Sequence, residues 1–287
     1  MNDERIDPER PDPDVLLAKL KREEKPARGR LRIYLGMAPG VGKTYAMLNE
    51  GRRRLERRSA DMIVGFVETY GRPKTIAALE GLEVIPRKKV TYRGVTLEEM
   101  DTDAVIARRP GVALVDELAH ANAPGSKHEK RWQDVEEIRD RGIMVISTLN
   151  IQHLESLNDL VENITGVRVR ETVPDWVVDD ADEIELVDIS PEALRSRLRH
   201  GNVYPPAQAQ AAAENFFTLE NLAALRSLAL QRTAQEVEQQ VEQYMRDLGR
   251  EKLPAGEQVL VLVDERPHSR ILLRRGWRIA GGIHAEL

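Results

Sequence analysis

Residues 31–44 read LRIYLGMAPGVGKT, and this stretch decides the fold. Leu31–Leu35 is a short apolar run of strand type. From Lys43 to about Arg58 the spacing is helical. Between them Gly36-Met37-Ala38-Pro39-Gly40-Val41-Gly42-Lys43-Thr44 joins strand to helix, the context in which a phosphate loop works. Its glycines let the backbone approach phosphate oxygens and aim N–H groups at them. The helix N-terminus adds a partial positive charge. Lys43 is placed to reach β- and γ-phosphates, and Thr44 to put its hydroxyl on Mg²⁺. Tyr45 follows as the first side chain beyond the loop. One departure from the strict spacing matters. The pattern asks for glycine five residues before Gly42, where Met37 stands, and the glycine lies one position earlier, at Gly36. Pro39-Gly40 still supplies a tight turn. The plainer alternative is a glycine-rich turn that precedes Lys-Thr by chance.

Outward from this stretch, strands and helices alternate. Met62–Val67 (MIVGFV), Val112–Val115 and Ile143–Thr148 are apolar throughout, and Val167–Val173 and Glu183–Ile189 are expected to complete the strands. Helices are expected at Leu97–Ala107, His128–Arg141 and His153–Thr165, the last two stopped by Gly142 and Gly166. Ser190-Pro191 opens another. Apolar strands between amphipathic helices imply an α/β fold, a P-loop NTPase-like parallel sheet flanked by helices, over residues 30–203. Ligands of such sheets bind at the carboxyl ends of the strands.

Residues 1–29, with Pro8, Pro11 and Pro13, read as an arm that is either solvated or packed near the nucleotide site. Residues 204–253 read as a helical extension, with Ala207–Phe217 and Leu219–Leu248 joined at Thr218 as a cap. In it Val237, Val241, Tyr244 and Leu248 form a seam that either packs on the sheet domain or pairs two copies into a homodimer. Over 254–287, Gln258–Val263 (QVLVLV) is expected as a buried strand, Arg270–Arg275 as a short helix and Gly281–Ala285 as the start of a second strand. That is an incomplete β–α unit.

Composition narrows the function classes. The net charge of −5 over 287 residues, with both signs interspersed, gives no concentrated basic face for nucleic acid. With no cysteine, disulfides and thiolate metal sites are impossible. No apolar run approaches the roughly 20 residues of a membrane span, so a membrane partner would act through another chain or a further segment. The acidic, proline-containing N-terminus is unlike a secretory signal, and the chain reads as cytoplasmic.

Val112-Ala113-Leu114-Val115-Asp116-Glu117 is the expected companion of the loop. Asp116 at a strand end would hold the Mg²⁺ shell, and Glu117 would polarise an attacking water or hydroxyl. Lys43, Asp116 and Glu117 are thus the candidate catalytic set, with Thr44 and Asp116 as metal ligands. Glu68 and Arg72 end the second strand, where they sense the γ-phosphate, hold a second substrate or lie in a solvated loop. Thr148, Asn150, Gln152 and His153 follow the fourth strand. Asn150 either contacts the γ-phosphate or caps the next helix. His120–Ser126 reads as a mobile loop over the site. No guanine-reading Asn-Lys-x-Asp segment is present, which favours ATP.

GMAPGVGKTYAML (36–48), VGFVETYGRPKT (64–75), LVDELAHANAPGSKHEKRWQDVEE (114–137), STLNIQHLESLNDLVENITGVRVRETVPD (147–175) and ADEIELVDISPEALRSRL (181–198) resemble the N-terminal cytoplasmic domain of the KdpD family, bacterial potassium and turgor sensor kinases. The resemblance covers roughly residues 11–250. It implies a regulatory ATP-binding domain that tunes phosphorylation and dephosphorylation of a response regulator in potassium uptake. It assigns Gly36–Thr44 to the nucleotide, and Asp116 and Glu117 to the magnesium and water side. In that family a universal-stress-protein-like domain, four membrane spans and a histidine-kinase core follow. Here the stress-like domain is expected to begin near Gln258 and to stop unfinished, as in a short form or a fragment. The family's cyclic dinucleotide site is not carried over. The competing expectations are a P-loop phosphotransferase acting on a protein Ser or Thr, a slow ATPase, and a scaffold whose nucleotide is structural.

Overall fold

Leu31–Gly36 (β1) is buried at every position but Arg32, as a strand must be when a sheet is covered on both faces. The structure, a computed structural model, describes residues 28–57, 60–204, 206–247, 259–263 and 269–283. Beside β1 run Met62–Phe66 (β2), Glu83–Val84 (β3), Val112–Val115 (β6), Met144–Asn150 (β7) and Glu183–Leu186 (β8). They form one six-stranded sheet in the order β3-β2-β6-β7-β1-β8, with every pairing parallel. Lys88–Tyr92 (β4) and Val95–Glu99 (β5) form a separate antiparallel hairpin.

The helices are Lys43–Glu56 (α1), Pro73–Leu79 (α2), Thr102–Arg108 (α3), Arg131–Asp140 (α4), Asn158–Thr165 (α5), Asp175–Asp179 (α6), Pro191–Arg199 (α7), Pro206–Glu214 (α8), Leu219–Asp247 (α9) and Ser269–Ile283 (α10). The two-residue period of β1 divides the core. Leu31, Ile33 and Leu35 pack with Val145, Leu149, Val161 and Leu222 on one face. Tyr34 packs with Met47, Leu48, Leu114 and Ile146 on the other. Because β7 lies between β1 and β6, the ends of the two motif strands face each other across one intervening strand.

Several expected elements differ. Leu97–Ala107 is not one helix: its first residues belong to β5, turned back by Arg93-Gly94, both at positive φ (49° and 81°). This is the backbone of a tight hairpin turn, and cross-strand pairing overrides the local helical spacing. The helix starts only after Asp101, whose side chain accepts the Ala104 N–H at 3.1 Å. His153–Thr165 opens as two short 3₁₀ turns, Ile151–His153 and Glu155–Leu157, before α5 begins. Val167–Val173 is not a strand; Val173 alone makes a bridge, to Leu154. Beyond that bridge its backbone pairs with no strand of the sheet among the described residues.

Ser190 and Thr218 cap α7 and α9 as expected, accepting from Ala193 N–H and Asn221 N–H, each at 3.2 Å. The expected arm falls outside the described residues except for its end. There Gly29 N–H donates to the Arg139 carbonyl at 2.7 Å, and Arg28 pairs with Glu136 and Asp180.

The chain divides into two compact units, Met1–Thr233 and Ala234–Leu287. In the second, Val259–Val263 forms no strand, and Leu260 and Leu262 are exposed. A strand needs a neighbour for its backbone groups, and among the described residues none pairs with it. Helix α10 runs well past the expected Arg275 and through Gly281-Gly282, where a second strand was expected; residues 284–287 lie outside the described part. Of the expected seam, Val237 and Val241 are exposed, and the side chains of Tyr244 and Leu248 lie outside the described residues. No helix among the described residues is long and apolar enough to cross a membrane.

Leu114 of β6 is fully buried and sits against the bare backbone of Gly51 in α1, where an added Cβ would lie 2.7 Å from Leu114 Cδ1. Leu114→Ala is expected to lower unfolding free energy by about 2–5 kcal/mol in urea titrations. A loss below about 1 kcal/mol would mean that α1 is not seated on β6 in this way.

Candidate functional site

The loop after β1 explains its own glycines. An ideal Cβ on Gly36 would lie 2.6 Å from Val41 Cγ2 and 3.1 Å from Lys43 Cδ, so the loop closes only over a bare backbone. Met37, at the position where the strict pattern has glycine, is instead a core residue, 1% exposed. Gly40 and Gly42 have φ of 90° and 115°, the left-handed region that glycine enters at no steric cost. Gly42 is the N-cap of α1 and offers no side-chain cap, so the first N–H groups of the helix point into the loop. Pro39 is half-buried, Ala38 and Val41 are buried, and Tyr45 is exposed.

Lys43 is 8% exposed. Its Nζ donates to the Ala38 carbonyl at 3.1 Å and to Asn150 Oδ1. Burial pushes its pKa down to about 8, against the pull of Asp116 and Glu117. Asn150 is held in turn by His153. The His153 Nδ1–H donates to the Glu171 carbonyl at 2.7 Å, which leaves Nε2 to accept from Asn150 Nδ2 at 3.4 Å. Burial keeps that imidazole neutral by lowering its pKa. Gln152 lies half-buried beside them, and the Asn150 side chain makes no helix cap.

Asp116 directly follows β6 and is 1% exposed. Both its oxygens accept from Thr44 Oγ1 at 3.1 Å, one from Thr148 Oγ1 at 2.6 Å and the other from Glu68 N–H at 3.3 Å. Burial raises its pKa in spite of these donors. β7 supplies Thr148 from between the two motif strands. Glu117 follows in the left-handed region, φ 58°, with its N–H on Thr148 Oγ1 at 3.0 Å and its carboxylate accepting from the Tyr70 hydroxyl. Burial, then the neighbouring Asp116, raises its pKa. A carboxylate with a raised pKa is a better proton acceptor near neutral pH. The Thr44 hydroxyl and Asp116 carboxylate are hard oxygen donors of the kind that hold Mg²⁺ together with water.

The structure divides the expected Glu68–Arg72 pair. Glu68 is held by Arg87 at 2.8 Å, whereas Arg72 donates to the Val203 carbonyl at 2.8 Å. The segment His120–Ser126, expected to be a mobile loop, is tied down at three points. Ala121 N–H bonds Glu171 at 3.0 Å, Ala123 N–H bonds Glu99 at 2.8 Å, and the Asn122 amide bonds Asp134 at 2.6 Å.

Tyr70, Arg87, Arg131, Arg197 and Val203 were not legible as site residues. Arg131 looks in sequence like part of a solvated charged run. In the structure it is fully buried, paired with Glu99 at 3.0 Å, stacked 3.7 Å from the Phe66 ring centroid and 3.4 Å from the Asp116 carbonyl. Arg197 donates to the Gly40 and Val41 carbonyls at 3.1 and 3.0 Å. No local pattern marks a side chain whose partner lies on another element.

The Lys43 burial has a definite pH signature. Its folded pKa of about 8 lies below the ordinary 10.5, so the unfolded chain binds the proton more tightly. The cost of the buried ammonium is fully present below pH 8 and is relieved as pH rises towards 10.5. It amounts to roughly 3 kcal/mol. The stability of Lys43→Met relative to the unmodified chain is expected to fall by about that amount between pH 7.5 and 10.5 in urea titrations. A difference constant with pH would show that Lys43 carries no such penalty.

Residues 27–237 match the family model described as KdpD, osmosensitive K⁺ channel His kinase sensor domain. The chain is 56% identical over 264 residues to the sensor protein KdpD of Mycobacterium tuberculosis (strain H37Rv), an alignment covering 91% of this chain and 30% of that protein. It is 50% identical over 281 residues to the sensor protein KdpD of Escherichia coli K12, covering 98% of this chain and 31% of that protein. For the sensor protein KdpD of Clostridium acetobutylicum the identity is 45% over 283 residues, covering 98% and 31%. The chain thus spans a little under a third of the length of these relatives.

Proposed function

The chain belongs to the KdpD sensor-domain family, and from that premise we propose that it binds ATP with Mg²⁺ at Gly36–Thr44 as the regulatory part of a potassium-sensing two-component system. The observation that carries this reading is the meeting of three groups from two elements, Lys43 and Thr44 at the start of α1 and Asp116 directly after β6. Lys43 is buried beside the loop, and Thr44 Oγ1 lies 3.1 Å from Asp116 at the end of β6. A buried ammonium held, among the described residues, by two neutral oxygens is a poor resting arrangement and a good anion receptor.

Loop N–H groups and Lys43 would hold the phosphates. Thr44 and Asp116 would hold the Mg²⁺, which neutralises phosphate charge when bound. Arg72 and Asn150 would lie at the γ-phosphate end. Asn150 now presents its carbonyl oxygen to Lys43 and would be freed as Lys43 turns to phosphate. The signalling role, a response regulator as partner and a cytoplasmic site of action follow from the family reading. The second reading, slow hydrolysis or phosphoryl transfer to a protein, is favoured by Glu117, whose raised pKa suits a general base.

Calorimetric titration of Mg–ATP tests the site. Lys43→Ala is expected to weaken binding about 10- to 150-fold, the worth of one charge-assisted contact. At pH 8.5, above the free-state pKa of about 8, phosphate should return Lys43 to its charged form. Binding should therefore take up protons, read as a dependence of the heat on buffer ionisation enthalpy. Equal affinity in both proteins would overturn the reading. γ-³²P followed in the same samples distinguishes the roles: label on protein means transfer, free phosphate means hydrolysis, and intact ATP means sensing alone.

A further inference from the structure

Arg72 is the least satisfied cation of the site. It is the N-cap residue of α2, at the carboxyl end of β2. Its Nε is buried without a hydrogen-bond partner, and among the described residues its one acceptor is the neutral Val203 carbonyl at 2.8 Å. It makes no ion pair there; its guanidinium lies 5.1 Å over the Tyr70 ring, whose hydroxyl holds Glu117. A guanidinium carries five N–H donors in a planar fork suited to a phosphate or carboxylate, and one neutral carbonyl answers little of that. Arg87, by contrast, is already paired with Glu68.

The carbonyl that Arg72 holds belongs to a short strap, Gly201–Tyr204, leading from α7 towards α8. Val203 is 3% exposed and lies on the phosphate loop: an added Cβ on Gly40 would meet Val203 Cγ2 at 2.5 Å. Tyr204 packs edge-on against Phe217, with ring centroids 5.9 Å apart. The strap is therefore seated on the loop by packing and fastened from the other side by one charged donor.

Resting on the ATP reading above, we propose that Arg72 distinguishes a nucleoside triphosphate from a diphosphate by exchanging the Val203 carbonyl for the terminal phosphate, and that this exchange unfastens the strap Gly201–Tyr204. The exchange is favourable because a charge-assisted, two-pronged contact replaces a single bond to a neutral oxygen. A diphosphate lacks the group that would draw Arg72 away, and the strap stays fastened. Triphosphate occupancy is thereby passed to α8 without any covalent bond being broken.

The test measures affinity for ADP and for an ATP analogue with a non-hydrolysable β,γ linkage, both with Mg²⁺, together with amide hydrogen exchange over residues 200–217. In the unmodified chain the analogue should speed exchange in this segment relative to ADP. Arg72→Met should exchange equally fast with either nucleotide and lose about 10-fold of its preference for the triphosphate. The preference is read as the ratio of the two affinities within each protein, so a change common to both nucleotides cancels. Arg72→Lys, which keeps the charge without the fork, should restore part of the preference. Equal exchange with ADP and analogue in the unmodified chain overturns the proposal even if the variants fold poorly. So does an Arg72→Met preference equal to that of the unmodified chain. Failure of the unmodified chain to bind either nucleotide would instead remove the ATP reading, and this inference with it.

Discussion

The burial of Lys43 beside Asp116 governs the rest of the site. Taking an ammonium and a carboxylate out of water is costly unless both are well bonded. Here their partners are divided. Asp116 collects two hydroxyls and a backbone N–H, while among the described residues Lys43 receives the Ala38 carbonyl and the Asn150 amide oxygen. The opposing pKa movements, Lys43 down and Asp116 up, express the same strain from both sides. A site kept in this state favours a ligand that brings negative charge to Lys43 and a cation to Asp116.

The fold supplies that arrangement through strand order. β7 separates β1 from β6, and its carboxyl end contributes Thr148 under Asp116 and Asn150 against Lys43. A second layer fixes these groups. His153 sets the direction of the Asn150 amide, and the buried Arg131, paired with Glu99 and stacked on Phe66, supports the turn after β6. Tyr70 and Glu117, both with left-handed backbones, are joined by a hydrogen bond from the Tyr70 hydroxyl to the Glu117 carboxylate across neighbouring strand ends. Non-glycine residues in that region persist where surrounding contacts hold them there, and such positions cluster at functional sites.

Misreadings of the sequence share a cause. Leu97–Ala107 carries helical spacing, yet its first residues pair across a hairpin because Arg93-Gly94 turns the chain back. Val167–Val173 has strand composition, but among the described residues only Val173 finds a bridge partner, Leu154. Val259–Val263 is as apolar as β2 and still forms no strand among the described residues, because no neighbour pairs with it. Strand formation is a property of pairs, and the partner is invisible in the segment itself.

The sequence by itself determined the parts whose physics is local. Gly36–Thr44 between strand and helix, the four-residue apolar run before Asp116-Glu117, the helix start at Ser190-Pro191, the cap Thr218 and the stop at Gly166 each follow from backbone conformation and spacing within a few residues. Even the displaced glycine was visible, although only the approach of Val41 and Lys43 showed why it sits at 36. The tertiary structure alone decided that Thr44 reaches Asp116 across β7, that Glu68 goes to Arg87, and that Arg72 goes to a carbonyl 131 residues away. Contacts of that kind depend on the distance between elements and on the water excluded between them, and neither is encoded at any single position of the chain.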